Sequence, residues 1–270
     1  MLRVVLFSCL VVAVLAGGCD LASDEESPTT TAAMPDVAGR RYALIVMGGH
    51  IDTTDTKYPV WWDNTYGTYR DCLAWGYLPD DMRLLAYGPL AEEHSGEVFA
   101  PSTTKTIYSS LEWLTDVCIP TDLVYVLWVG HGASHYFKTY DGWISHRTLG
   151  THIRGIPAGR VVGVYTPCYS GAIVPWASQT NVVTVTACGA DEETGWGWAS
   201  EWRRALRGDG DFNSDRTVTV TEAFEWTRRV AVSLGVRETP LLDGDGVVDL
   251  QDIREVLSYY GTVYSGDAGE

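Results

Sequence analysis

The chain has 270 residues, of which 46% are hydrophobic and 20% charged, with 11 tryptophans and 15 tyrosines; this is the make-up of one folded core and excludes a disordered polymer. Its 35 acidic and 19 basic side chains leave a formal charge of −16, a field that repels phosphate backbones, argues against nucleic acid as a partner and favours cations.

Arg3 is followed by an almost unbroken apolar stretch from Val4 to Ala16 and then by Gly17 and Gly18, so residues 1–18 read as an export signal. The stretch is too short to span a bilayer comfortably, and no later segment is long and apolar enough. The junction Leu15-Ala16-Gly17-Gly18-Cys19 resembles the lipobox of bacterial lipoproteins with one extra glycine, which makes Cys19 the expected lipidation site. The alternative is an ordinary cleaved signal with an incidental cysteine. Residues 19–39, with Asp24-Glu25-Glu26-Ser27-Pro28 and a run of threonines, carry few apolar side chains and read as a flexible tether. The expected location is extracytoplasmic, on the periplasmic or the cell-surface face of the bacterial cell membrane, held there by the lipid.

Arg41 to Met47 reads as a first, central strand closed by Gly48-Gly49. After a polar, aromatic loop, Asn64 to Gly76 has helical spacing, with Tyr66, Tyr69, Leu73 and Ala74 on about one face. Asp81 to Ala86 is a second short strand. Ser102 is the expected cap of a helix whose apolar face is Ile107, Leu111, Trp113, Leu114 and Val117. Leu123 to Val129 and Val161 to Tyr165 are continuous apolar runs, the mark of buried parallel strands, and Asn181 to Ala187 is a further β-branched strand. Strands alternating with helices predict an α/β fold with a mostly parallel sheet covered on both faces.

His131 in Val129-Gly130-His131-Gly132 and Cys168 in Pro167-Cys168-Tyr169-Ser170-Gly171 each follow one of the buried runs. The carboxyl ends of neighbouring strands form the chemical rim of an open α/β sheet, so the two side chains are expected to meet there. Cys168 would attack as a thiolate, His131 would serve as base near neutral pH, and the Gly132 and Cys168 amides are candidates for an oxyanion hole. Taken singly, each residue has a plainer reading: a loop histidine, and a small buried cysteine. A metallohydrolase using His131 and His135 lacks the glutamate after its first histidine, and a serine hydrolase lacks its Gly-x-Ser-x-Gly elbow. Of the remaining cysteines, at most one pair is expected among Cys72, Cys118 and Cys188, with Cys188 ending a strand.

Arg41 to Gly49, Trp62-Asp63-Asn64-Thr65, Gly76-Tyr77 with Asp80-Asp81, His131-Gly132 and Cys168-Tyr169-Ser170-Gly171 stand in the order found in legumain-type, caspase-like cysteine peptidases, and the chain resembles their bacterial members most, over roughly residues 40 to 240. The resemblance implies a caspase-like three-layer α/β/α sandwich as a peptidase domain over 40–240. It also implies that His131 polarises the scissile amide and protonates the leaving amine, with Asn64 orienting the histidine. Thr166 stands where the family has an acidic residue two places before the nucleophile, and the family's Arg-His pair has no clear counterpart near Tyr58 to Asn64. Strict asparaginyl specificity therefore does not carry over. Asp191, Glu192 and Glu193 are candidates for a pocket that takes a basic side chain, or are a solvated acidic loop.

Asp211, Asn213, Asp215 and Glu222 fall at positions 1, 3, 5 and 12 of an EF-hand loop, with the Thr217 carbonyl at 7 and apolar Val218 at 8, so residues 211–222 are expected to hold a structural Ca2+ inserted in the peptidase domain. Arg216 replaces the usual glycine, and the plainer reading is an Asx-rich turn capping a helix. In the C-terminal segment 241–270, Asp243-Gly244-Asp245-Gly246 through Asp252 forms a possible second, degenerate loop with Leu241 at its first ligand position. Together these features predict an exported, lipid-anchored cysteine endopeptidase acting on peptide or protein substrates. The alternative is a catalytically inactive caspase-like scaffold that binds peptides or proteins through the Trp61-Trp62 and Trp196-Gly197-Trp198 loops.

Overall fold

The computed structural model describes residues 39–49, 57–195 and 197–243. The signal, the lipobox with Cys19, the tether up to Ala38 and the second calcium loop beyond Asp243 all lie outside the described residues.

In chain order the elements are β1 (Arg41–Gly48), α1 (Tyr58–Ala74), β2 (Met82–Leu85), α2 (Pro89–Glu93), α3 (Thr104–Val117), β3 (Leu123–Gly130), β4 (Gly132–Ala133), β5 (Tyr136–Lys138), β6 (Trp143–Ser145), α4 (His146–Arg154), β7 (Arg160–Tyr165), α5 (Val174–Ala177), β8 (Val182–Thr186), α6 (Trp198–Arg204), α7 (Val220–Ser233) and β9 (Leu241–Asp243). Six strands form one mixed sheet in the order β2-β1-β3-β7-β8-β9, parallel except for the last, which runs antiparallel to β8.

Successive side chains of a strand point to opposite faces, and each face of this sheet is covered by helices. Ala43, Ile45, Tyr125, Leu127, Val162 and Val164 pack with Trp62 and Cys72 of α1, Trp198 and Trp202 of α6 and Phe224 of α7. Leu44, Val46, Val124, Val126 and Val161 pack on the other face with Ile107 and Leu111 of α3, Leu149 and Ile153 of α4 and Ala177 of α5. The result is an α/β/α sandwich, and burial on both faces explains why its strands are continuous apolar runs.

The expected elements differ from the observed ones in instructive ways. α1 begins at Tyr58, because Pro59 sits in its first turn, where the missing N–H costs nothing, so the segment before Asn64 is helix rather than loop. Thr103, not Ser102, caps α3 by accepting from the Thr106 amide, while the buried Ser102 hydroxyl donates to the Met47 carbonyl (2.7 Å). The stretch between His131 and Cys168 contains the small antiparallel sheet β4-β5-β6 and α4, elements too short to show a period in the sequence. All four described cysteines are free thiols.

Candidate functional site

β3 and β7 are neighbours in parallel register, with Trp128 opposite Tyr165. His131 and Cys168 each stand three residues beyond that pair, so both belong to the carboxyl rim of the sheet at the ends of adjacent strands. Two glycines bring the backbones together. Gly130 has φ +143°, and a Cβ there would overlap the Gly48 carbonyl oxygen, so only glycine lets β1 and β3 end side by side. A Cβ on Gly132 would overlap the Cys168 carbonyl oxygen and come within 2.9 Å of the Pro167 side chain. The histidine and cysteine loops thus touch through bare backbone.

His131 is exposed, and its imidazole makes a T-shaped contact with the Trp61 ring of α1, with centroids 4.6 Å apart and the planes at 87°. Lys138 donates its amide to the His131 carbonyl (3.0 Å), which makes Gly132 and Phe137 a non-hydrogen-bonded pair of the β4–β5 ladder. The Gly132 N–H is accordingly not consumed by that ladder.

Cys168 is half-buried and bedded in the loop after β8: the Thr194 amide donates to its Sγ (3.3 Å), and the thiol donates to the Thr194 carbonyl (3.4 Å). The following residue, Tyr169, has φ 60°, in the left-handed region that a bulky side chain rarely occupies. It is held there by its amide, which donates to the Glu192 carbonyl (2.7 Å), and by its phenol, which donates to Glu193 (2.8 Å). Ser170 and Gly171 complete the turn. The Ser170 hydroxyl accepts from the Cys188 amide (3.3 Å), Gly171 donates to the Cys188 carbonyl (3.0 Å), and a Cβ on Gly171 would press on the 189–190 backbone. Burial pushes the Cys188, Cys118 and Cys72 thiols up, Cys118 to about 12, so these three stay protonated near neutral pH.

The buried Asn64 donates to the Val60 carbonyl within α1 (2.9 Å), and its Oδ1 accepts from Ser200 (3.0 Å), which ties α1 to α6. The side chain of α1 that meets the imidazole is Trp61, one turn earlier. The three acidic candidates separate as well. Glu192 accepts from the Gly189 amide (2.8 Å), the Thr239 amide (2.6 Å) and the Thr239 hydroxyl (2.7 Å), which commits its carboxylate to the approach to β9. Glu193 is held beside the thiol by Tyr169, and Asp191 is exposed. Trp61, Trp62 and Trp198 are buried in helices rather than displayed on loops. His131 and His135 flank a strand and turn, not one face of a helix.

In the 211–222 segment, Asp211 and Asn213 both accept from the Asp215 amide (3.2 and 2.8 Å), Asp211 also accepts from the Arg216 amide (3.0 Å), and Asp215 accepts from the Thr217 amide (2.8 Å). Arg216, at the glycine position of the expected loop, has φ 67°, a conformation glycine adopts more readily. Val218 is buried as the pattern requires. Glu222 is turned to α7, whose capping box it closes with Thr219. Among the described residues, no group of three or more His, Cys, Asp or Glu side chains is arranged to hold a metal ion, and no helix is long and apolar enough to cross a membrane.

From the sequence, Trp61 is marked only as part of a tryptophan-rich binding loop, Tyr169 only as a member of the cysteine motif, and Thr194 not at all. Nothing in a tyrosine marks a left-handed backbone, and Thr194 reaches the sulfur with main-chain atoms that any residue has. No protein-family model matches the chain, and no curated protein matches it.

Proposed function

We propose that this chain is an exported, lipid-anchored cysteine endopeptidase of the legumain and caspase-like kind, its sandwich being the caspase-like version, with Cys168 as nucleophile and His131 as base. What carries the reading is that both residues stand at matched ends of adjacent parallel strands, with the Gly132 backbone lying on that of Cys168.

In the reaction proposed, the Cys168 proton passes to His131 and the sulfur adds to the scissile carbonyl carbon. The oxygen takes the negative charge opposite the Gly132 and Cys168 amides. The imidazolium then gives its proton to the departing nitrogen, the C–N bond breaks, and a thioester remains on Cys168. Water activated by His131 hydrolyses the thioester and restores the thiol. With Glu192 committed to Thr239, Glu193 and Asp191 are the acidic groups that remain for a basic substrate side chain.

Ca2+ belongs to the same proposal in a structural role. Asp211, Asn213, Asp215 and the Thr217 carbonyl would hold it, and Glu222 would exchange its helix cap for the ion.

The test is labelling of the intact protein with a peptidyl fluoromethyl ketone or iodoacetamide, the modified peptide being located by mass spectrometry. Cys168 is the half-buried one of the four described thiols and the others are buried, so modification is expected first at Cys168 and is lost in Cys168→Ala. Equal labelling of that variant would count against chemistry at this thiol.

A further inference from the structure

A concavity opens on the same rim, on the β1 and β2 side of His131, away from Cys168. It holds about 580 Å³ and lies where the chain leaves β2, walled by Tyr87, Pro89, Ala91, Val98, Phe99 and Tyr140. That is the size of a small-ligand site. Phe99 and Tyr140 remain 54% and 42% exposed, large apolar surfaces left open to water.

A short chain of packed groups runs from the candidate site to the wall of this cleft. The imidazole of His131 meets Trp61, a Cβ on Gly49 just past β1 would lie 3.1 Å from the Trp61 ring, the Gly49 carbonyl accepts from the Tyr87 hydroxyl, and Tyr87 packs on Tyr140 with ring centroids 4.5 Å apart. The sheet order gives the direction: β2 and β1 lie on one side of β3, while β7 and the loop that beds the thiol lie on the other.

Resting on the peptidase reading, we infer that this cleft binds an apolar or aromatic side chain of the substrate on the carboxyl side of the scissile bond. Cys168 keeps the acyl half of the substrate, so that half stays on the thiol's side. His131 protonates the departing amine, so the leaving half lies on the β1 and β2 side of the imidazole. A polypeptide continuing in that direction comes to the aromatic cleft. The cleft walls are mainly aromatic and aliphatic, with Glu92 and Ser95 also in the lining, which selects bulky apolar residues over acidic or small ones.

The experiment uses internally quenched peptides randomised on the amino side of the bond and carrying Phe, Leu, Gly or Asp at each of the first three positions on its carboxyl side. Phe or Leu at one of these positions is expected to raise kcat/KM over Gly by about ten- to a hundredfold, the worth of burying one large apolar side chain. Phe99→Ala and Tyr140→Ala should each shrink that ratio toward one, whereas Leu234→Ala, at the exposed end of α7, should leave it as it is. Hydrolysis of all the peptides at equal rates, or a preference for Asp, overturns the inference and leaves the peptidase reading standing. No hydrolysis together with no labelling of Cys168 overturns the peptidase reading and this inference with it.

Discussion

Gly132 is where a single methyl group separates two outcomes. Its Cβ would overlap the Cys168 carbonyl, so Gly132→Ala must push the histidine loop away from the cysteine loop and turn the candidate oxyanion amide off its target. We expect a loss of about a hundredfold or more in kcat/KM and a destabilisation of about 1–3 kcal/mol, measured by peptide hydrolysis and denaturant melts. His146 makes a second prediction. It is buried against Phe137, with ring centroids 4.3 Å apart, and burial pushes its imidazole down to about 4, the charge of His135 acting the same way and the Tyr136 backbone opposing. A depressed histidine pKa means that the unfolded chain takes up the proton first, so stability falls as pH drops from about 6.5 to about 4 and levels off below, a loss of about 3 kcal/mol. Melts across that range should show the slope, and His146→Leu should flatten it. That His131 and Cys168 follow adjacent buried strands was legible in the sequence because each comes after a continuous apolar run. The hydrogen bonds of Asn64 were not, since an asparagine in a family-like motif looks the same whether it serves a histidine or, as here, Val60 and Ser200.

At the scale of elements, the loop after β8 works as a bracket: main-chain atoms of Thr194 hold the sulfur, Glu192 and Glu193 hold Tyr169, and the Glu192 carboxylate reaches on to Thr239 ahead of β9. Glu192→Ala removes a charged acceptor from three donors and should cost about 2–4 kcal/mol in thermal melts, while Asp191→Ala, exposed on the same loop, should change little. The core strands could be read from sequence because burial on both faces makes them long and uninterrupted. The β4-β5-β6 sheet could not, because strands of two or three residues carry no measurable alternation. The start of α1 escaped for a local reason: Pro59 reads as a breaker unless it is recognised as a first-turn residue.

For the whole molecule, a charge of −16 stores self-repulsion that a bound divalent cation would relieve. If the 211–222 loop takes Ca2+, the melting temperature should rise by several degrees at millimolar concentrations, by mass action on the folded state, and Asp211→Ala should abolish the rise. An unchanged melting point would remove calcium from the proposal. The parallel sheet also fixes an orientation. The described chain enters at Gly39, against Thr121, with the Arg40 amide on Asp122, at the amino edge from which β1 and β3 both start. Eight residues of β1 then cover about 26 Å to the opposite edge, where His131 and Cys168 stand. The chain thus enters the sandwich at one edge of the sheet and carries His131 and Cys168 at the other, so a segment attached ahead of Gly39 joins the domain away from the candidate site.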